Sequence, residues 1–311
     1  MRIVFMGTPQ FSVTILKRLH RYYPVGLIVT QPDKKVGRKQ LLKESAVKKF
    51  ANEENIEVIT PYQIKNEYQK IIDYQPDLIV TASYGQILPK EIISSFTSIN
   101  VHGSLLPKRR GGAPVQRAIM EGDLKTGISL IYLSKKMDAG KIIAQSSMPI
   151  LNSDTTTILM NKLALLGADL LLEYLPKIIN KTVISKKQNE ALVTYSYNLT
   201  KKDEILNFNQ TTHLILRQLN GLLEEPAGSI FVDKKRIKVF KLRKSDIISN
   251  ASPNEIIACK KSLLIKSLDG VVEIVELQEE GKKRMMASDY LNGQKSFIKG
   301  GKINETVIFS R

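Results

Sequence analysis

Residues 1–30, MRIVFMGTPQFSVTILKRLHRYYPVGLIVT, decide the fold class because they contain a strand–helix–strand unit. The apolar runs Arg2–Met6 and Val25–Thr30 predict two strands that are buried on both faces. Between them, the spacing of apolar residues over 10–22 predicts a helix. The unit favours a sheet with helices packed on its faces.

The same alternation continues through the first 180 residues. Further strands are predicted at Ile56–Thr60, Asp77–Ala82, Ile99–His102 and Ile128–Leu133. Further helices are predicted at 45–53, 63–73, 89–95, 114–121 and 155–179. Residues 1–180 are therefore predicted to form a Rossmann-like α/β domain, with an open and mainly parallel sheet. Gly7 is the only glycine before Gly26, so the GxGxxG motif is missing and NAD or FAD binding is disfavoured.

A second domain follows a change in composition. Residues 181–205 are polar with few periodic apolar positions and are predicted to be a linker. Residues 206–311 begin with a helix at Thr211–Leu222 and continue with short apolar runs separated by turn residues. The predicted strands are Gly228–Val232, Arg236–Leu242, Ser262–Ser267 and Val271–Leu277. This pattern is typical of a small OB-like β-barrel, with another compact β domain as the alternative.

Charge is the strongest signal in the composition. The 311 residues contain 47 Lys and Arg against 30 Asp and Glu, a net charge of +17 with a pI near 9.7. Residues 1–207 contribute 29 basic and 18 acidic side chains and residues 208–311 contribute 18 and 12, so both halves are basic. The excess favours a polyanionic partner, although a lysine-rich composition of the whole genome is the alternative.

The chain carries few signs of export or membrane insertion. Cys259 is the single cysteine, so it has no partner for an intramolecular disulfide, which suits a reducing compartment. The N-terminus lacks the pattern of a signal peptide, and the apolar region Leu163–Leu175 is interrupted by charges. We expect a cytoplasmic protein that acts as a monomer away from membranes.

The segment Thr30–Lys39, TQPDKKVGRK, follows the second strand and carries the cations Lys34, Lys35, Arg38 and Lys39. Loops at strand ends often bind ligands. Four cations in six residues favour contact with phosphate. The alternative is a solvated turn rich in Pro, Asp and Gly.

The stretch Ser98–Pro114, SINVHGSLLPKRRGGAP, says most about chemistry. Asn100 and His102 lie two positions apart on a strand, so their side chains share one face at the carboxyl end, where ligands bind in α/β sheets. Histidine can exchange a proton near neutral pH, and an asparagine amide can hold an oxyanion without titrating. Such a pair is more often a satisfied polar pair, but its position at a strand end favours a site.

A carboxylate follows the next predicted strand. Asp138 lies in MDAGK, a few residues after that strand ends near Leu133. Delivered from a neighbouring strand end, it would orient His102 and stabilise its charged form. The alternative is an ordinary loop aspartate. The other histidines, His20 and His213, are interpreted as surface or packing residues.

Several segments together resemble one enzyme family over nearly the whole chain. They are MRIVFMGTPQFSV, TQPDKKVGR, DLIVTASYGQILPKEII, INVHGSLLPKRRGGAPVQRAI, TGISLIYLSKKMDAGKII and KKRMMASDYLNG. The family is that of the formyltetrahydrofolate-dependent formyltransferases. The SLLP segment and the Asn-x-His pair with a later Asp are common to it, whereas the opening MGTPxF, the TQPD–GR loop and the second domain are typical of its tRNA-directed members. Arg109 replaces the usual aromatic residue, Gly103 replaces a common alanine, and tryptophan is absent. These departures affect the shape of the pocket more than the catalytic trio.

The resemblance implies a reaction and a site. The reaction is transfer of the formyl group of 10-formyltetrahydrofolate to the amino group of methionyl initiator tRNA, for translation initiation, with no metal. Asn100, His102 and Asp138 would be catalytic. The folate would lie against the cofactor-binding residues Ser104, Leu105, Leu106, Pro107, Gln86, Ile87 and Leu88. The tRNA would contact Lys34, Lys35, Arg38, Lys39 and the domain at 206–311.

Two other functions stay open on the sequence alone. A folate-dependent formyltransferase that acts on a nucleotide-linked sugar or a purine precursor would keep the catalytic trio, but it has no need of the +17 charge. A catalytically silent RNA-binding protein would explain the charge, but the Asn-x-His and Asp constellation speaks against it.

Overall fold

The computed structural model describes residues 1–36, 40–232, 235–292 and 299–304. Contacts within the chain divide it into two units. Unit 1 comprises Met1–Pro114, Lys125–Pro149 and Leu159–Tyr197, and unit 2 comprises the remaining stretches, Val115–Leu124, Ile150–Ile158 and Asn198 onwards. Arg38 and Lys39 lie outside the described residues.

Seven strands of unit 1 form one sheet, and two more form a separate hairpin. The strands of unit 1 are β1 Ile3–Gly7, β2 Val25–Val29, β3 Lys34–Val36, β4 Leu41–Lys43, β5 Glu57–Ile59, β6 Leu78–Ala82, β7 Ser98–His102, β8 Lys125–Tyr132 and β9 Ile142–Pro149. The sheet order is β5-β2-β1-β6-β7-β8-β9, and β3 pairs with β4. The first five strands of that order are parallel, whereas β8 and β9 each pair antiparallel.

Six helices are described in or across the first 180 residues. They are α1 Gln10–Tyr22, α2 Ala46–Glu53, α3 Gln69–Tyr74, α4 Lys90–Ser95, α5 Pro114–Met120 and α6 Thr156–Ile179. All residues of β1 and β6 are buried, as expected for central parallel strands covered on both faces. The predicted Rossmann-like fold is confirmed.

The structure also contains elements that the sequence pattern did not predict. Edge strand β9 begins with apolar residues but continues as AQSSMP, with alternating exposure. Strand β3 lies within the segment Thr30–Lys39, which was predicted to be a loop, and β4 follows that segment. The helix predicted at 63–73 is shorter and is observed as α3, Gln69–Tyr74. Residues 63–67 form a separate turn, in which the backbone amide of Gln63 donates to the Glu67 carboxylate.

Unit 2 contains a curled antiparallel sheet. Its elements are α7 Thr212–Leu222, β10 Gly228–Val232, β11 Lys235–Ser245, β12 Ile256–Cys259, β13 Leu263–Lys266, β14 Val271–Glu279, β15 Met285–Met286 and α8 Ala287–Asn292. The order is β10-β11-β14-β13-β12, with β15 beside β14. Residues 300–304 hydrogen-bond to Ile256 of β12 and to Phe231 of β10, and so connect the two edge strands. The sheet therefore curls around a core that includes Phe208, Ile237 and Ile274.

The segment predicted as a linker is divided between the units. Residues 181–197 lie in unit 1, where Arg110 exchanges backbone hydrogen bonds with Thr194 and Ser196. Residues 198–205 lie in unit 2, where Asp203 pairs with Arg117 at 2.7 Å. The contacts of this segment are made by backbone groups and charged side chains. Such contacts require no periodic apolar residues, so the polar composition predicted a linker.

Two stretches within the predicted catalytic domain also belong to unit 2. The Arg217 guanidinium donates to the carbonyls of Ile119 and Asp123, and the Thr156 hydroxyl donates to the carbonyl of Gly221. These contacts hold 115–124 and 150–158 in unit 2. Within the described ranges, no helix is both long enough and apolar enough to cross a membrane.

Candidate active site

Three polar side chains meet beside the carboxyl end of β7. Asn100 and His102 lie on the same face of that strand, and both reach the carboxylate of Asp138. The Asn100 amide nitrogen is 3.4 Å from Asp138 Oδ1, and His102 Nδ1 is 3.6 Å from the same oxygen. The side chains of His102 and Asp138 are only 7% and 13% exposed. The structure thus brings together the three residues predicted to be catalytic.

Asp138 reaches this position from a loop rather than from a strand end. Because β8 runs antiparallel to β7, Tyr132 at its end pairs with Ile99 near the start of β7. The loop between β8 and β9 then carries Asp138 to Asn100 and His102. The sequence placed Asp138 after a strand neighbouring β7, and β8 is that neighbour. Because β8 runs antiparallel to β7, its end lies near the start of β7, and the loop that follows covers the remaining distance.

The backbone at Asp138 is held in an unusual conformation. Its φ of +50° is in the left-handed region, which costs an L-residue about 1–2 kcal/mol. Its Oδ2 accepts the amide of Gly111 at 2.9 Å. Two residues on, a Cβ at Gly140 would lie 1.6 Å from the Tyr132 carbonyl oxygen, so only glycine fits there. The loop is therefore fixed on both sides of the carboxylate.

Each nitrogen of the His102 ring faces an acceptor. Nε2 lies 3.1 Å from the carbonyl oxygen of Arg109, and Nδ1 faces Asp138. A neutral imidazole has one N–H and can donate to only one of these oxygens, whereas a protonated ring can donate to both.

Thr81 orients Asn100, and sequence reasoning missed it. The Thr81 hydroxyl at the end of β6 donates to Asn100 Oδ1 at 2.9 Å, which turns the amide nitrogen towards Asp138. Gly111 was also missed as a ligand of the carboxylate. The available signal for Thr81 is a hydroxyl in the otherwise apolar strand LIVTA, beside the Asn100 strand.

The segment predicted to bind folate through Ser104, Leu105, Leu106 and Pro107 leaves the sheet directly after His102. The Ser104 hydroxyl donates to the Lys108 carbonyl at 2.8 Å, and the Leu106 amide donates to the Ser129 hydroxyl at 3.0 Å. Ser104 and Leu106 are buried, whereas Leu105 and Pro107 are half-buried. The exposed surface of the segment thus comes from Leu105 and Pro107.

The other predicted folate segment is anchored by its first residue. The Gln86 side chain accepts the amide of Ile64 at 2.8 Å and donates to the carbonyl of Pro61 at 3.2 Å. Leu88 is packed in the core, whereas Ile87 is 77% exposed. Within the described part of the chain, the backbone groups of residues 86–88 make no hydrogen bond to another backbone group.

The basic segment after β2 is held at its start by side-chain hydrogen bonds. Lys48 Nζ donates to Asp33 Oδ2 at 2.8 Å, and this contact raises the pKa of Lys48 above its usual value. The Gln31 side chain donates to the carbonyl of Tyr84 at 3.1 Å. The next two cations along the chain, Lys34 and Lys35, are exposed on β3.

Comparison with known proteins gives matches to one family over nearly the whole chain. Residues 1–175 match the formyl transferase family, and residues 198–295 match the formyl transferase C-terminal domain. The methionyl-tRNA formyltransferase of Limosilactobacillus fermentum is 42% identical over 306 residues, which cover 96% of this chain and 97% of the relative. The enzyme of the same name from Ligilactobacillus salivarius is 44% identical, covering 96% of each chain.

The chain belongs to the methionyl-tRNA formyltransferase family. Solved structures of formyltransferases share its fold at lower identity. An N-formyltransferase from Helicobacter canadensis, in complex with folinic acid and dTDP-3-aminofucose, has a TM-score of 0.66 at 22% identity, covering 90% of this chain and 99% of its own. HypX from Aquifex aeolicus in complex with tetrahydrofolic acid has a TM-score of 0.65 at 19% identity, covering 94% of this chain and 47% of its own. The family resemblance given by the sequence motifs is confirmed.

Proposed function

We propose that this formyltransferase moves the formyl group of 10-formyltetrahydrofolate to the amino group of methionyl initiator tRNA, a step of translation initiation. The observation that carries the proposal is the meeting of Asn100, His102 and Asp138 at the end of β7. It is supported by relatives that bear the methionyl-tRNA formyltransferase name over nearly the whole chain and by a similar fold that binds tetrahydrofolic acid.

The three side chains fit the demands of formyl transfer. The amine nitrogen forms a bond to the formyl carbon, and the carbonyl oxygen becomes an oxyanion. The Asn100 amide and the His102 ring stabilise that charge. Asp138 holds His102 while the ring helps to move the proton of the amine, through water, to the departing N10 nitrogen of the folate. The products are tetrahydrofolate and the N-formyl amine.

The folate is proposed to lie between the two segments predicted for it. Leu105, Pro107 and exposed Ile87 offer apolar surface to a flat pterin. The backbone groups of residues 86–88 make no hydrogen bond to another backbone group within the described residues, and they suit the donors and acceptors of a pterin edge. Ser104, Leu106, Gln86 and Leu88 would act by shaping the segments.

The tRNA is proposed to use the positive charge of both halves of the chain. Lys34 and Lys35, with Arg38 and Lys39, would meet the acceptor arm, and the OB-like domain at 206–311 would hold the RNA backbone. In this division of labour, catalysis belongs to residues 1–180. We further propose a monomer that works in the cytoplasm, in line with the single Cys259.

A folate-dependent formyltransferase for a nucleotide-linked sugar is the competing function, because such an enzyme shares the fold. The test is to incubate the protein with 10-formyltetrahydrofolate and either methionyl initiator tRNA or a dTDP-linked amino sugar. We expect N-formylmethionine after hydrolysis of the tRNA ester and no formylated sugar. Formylation of the sugar alone would refute the proposal.

The role of the basic segment is tested by Lys34→Ala combined with Lys35→Ala. We expect kcat/KM for the tRNA to fall at least tenfold while folate affinity stays within about twofold. Unchanged tRNA kinetics would remove these lysines from the recognition surface. Lys65→Ala, a change at an exposed lysine outside that segment, is the matched control.

A further inference from the structure

Gln188 links two parts of unit 1 beside the active site. Its amide nitrogen donates to the backbone carbonyl of Asp138 at 2.7 Å and to that of Gly140 at 2.8 Å. Its amide oxygen accepts two hydrogen bonds from the Arg110 guanidinium, at 3.1 and 2.8 Å. Both ends of the amide are therefore saturated. The orientation is unambiguous, because the carbonyls only accept and the guanidinium only donates.

Arg110 is itself fixed. Its side chain is 2% exposed, and the guanidinium makes a two-pronged ion pair with Glu190, whose contact raises the pKa of Arg110 and lowers that of Glu190. The Arg110 amide and carbonyl also pair with the backbone of residues 194–196. The anchor for Gln188 is thus a buried, multiply bonded cation rather than a loose surface group.

The residues on either side of Arg110 contact the catalytic groups directly. The Arg109 carbonyl faces His102 Nε2, and the Gly111 amide donates to Asp138 Oδ2. Gln188 holds the backbone of Asp138 at the residue whose φ is +50°. One anchor therefore fixes the loop that binds the carboxylate and the loop that carries it.

We propose that Gln188, held by Arg110, is a positioning residue for catalysis that keeps the Asp138 carboxylate aimed at Asn100 and His102. The proposal rests on the proposed function only for the identity of the amine that is formylated; the hydrogen bonds of Gln188 are independent of it. Substrate contacts are not required of Gln188. Its effect is transmitted through the Asp138 backbone.

Two substitutions separate this role from simple support of Arg110. Gln188→Leu removes all four hydrogen bonds. Gln188→Glu keeps an acceptor for Arg110 but places a carboxylate oxygen against the carbonyls of Asp138 and Gly140. We expect both variants to lose kcat by 10- to 100-fold with KM for tRNA and folate within about twofold of wild type. A Gln188→Glu enzyme with wild-type kcat would overturn the proposal, because Arg110 support alone would then suffice.

A double-mutant cycle tests whether the effect passes through the aspartate. In an Asp138→Ala background, measured by single turnover, Gln188→Leu should cause less than a twofold further loss. A full additional loss would mean general damage and would refute a positioning role. Gln69→Leu, which removes an exposed glutamine amide from α3, is the matched control and should keep wild-type kcat.

A measurement without substrate keeps the proposal separate from the choice of amine. Exchange of the Gly111 amide proton should be at least tenfold faster in both Gln188 variants, because the carboxylate that it binds is released. The Ala113 amide, which donates to the Ser196 carbonyl, should exchange as in wild type. Unchanged exchange at Gly111 would overturn the proposal even if the enzyme formylates tRNA. Faster exchange would support it even if another amine is the substrate.

Discussion

Replacing Asp138 by asparagine removes one charge from the active site and, because a side-chain amide has a single acceptor oxygen, one of the two hydrogen bonds that the carboxylate accepts from Asn100 and Gly111. The asparagine oxygen can still accept the Gly111 amide, so the loop keeps its main contact. The hydrogen bond from Asn100 is then lost, and the larger loss is the attraction between the carboxylate and a protonated His102, whose Nδ1 lies 3.6 Å from Oδ1. At that distance two unit charges interact by about 4–5 kcal/mol when the effective dielectric constant is about 20.

The expected loss of rate follows from that interaction. Asn100 and Gly111 donate to the same carboxylate and share its charge, so we expect about 3 kcal/mol to be lost from the transition state. At about 1.36 kcal/mol per tenfold, kcat should fall by roughly 100- to 200-fold.

The assay is single-turnover formylation of charged tRNA with saturating 10-formyltetrahydrofolate, beside a thermal melt that verifies folding. Asp73→Asn, a change at an exposed aspartate of α3, is the matched control and should keep the wild-type rate. A folded Asp138→Asn enzyme within fivefold of wild type would show that the charge of Asp138 does not support catalysis.

Three further outcomes follow from the structure. Gly140→Ala should cut kcat at least tenfold with KM little changed, because the added Cβ collides with the Tyr132 carbonyl; a wild-type kcat would contradict the fixed loop. The dissociation constant of the tRNA complex, measured by filter binding, should rise steeply with salt concentration through counterion release, while folate affinity barely changes. A tRNA dissociation constant that does not change with salt would show that the +17 net charge is a bias of composition. Burial opposes the charge of Asp203, but hydrogen bonds from Arg117 and Thr200 outweigh it and lower its pKa below the usual 3.8. The carboxylate therefore stabilises the fold above about pH 4 and loses that effect as the pH falls further, so urea unfolding of Asp203→Asn should show a shallower loss of stability below pH 4 than wild type.

The proposed catalytic pair was predictable because its geometry depends on one strand. Asn100 and His102 share a face through the two-residue period of β7, and an apolar sequence fixes that strand in the sheet. The carboxylate was found in the sequence, but its route was not. Whether β8 runs parallel or antiparallel to β7 depends on how the two strands pair in the sheet. An apolar run has the same sequence pattern in either case.

The sequence by itself determined the strand–helix alternation of the first 180 residues, the curled β architecture of the second half, the family and the catalytic trio as candidates. These features depend on the local spacing of apolar residues and on short sequence motifs. Only the tertiary structure decided that Asp138 comes from a left-handed loop position and that Gln188 and Arg110, 78 residues apart, meet behind it. Polar side chains on loops carry no period, so their partners are set by the order of the strands in the sheet rather than by neighbours along the chain.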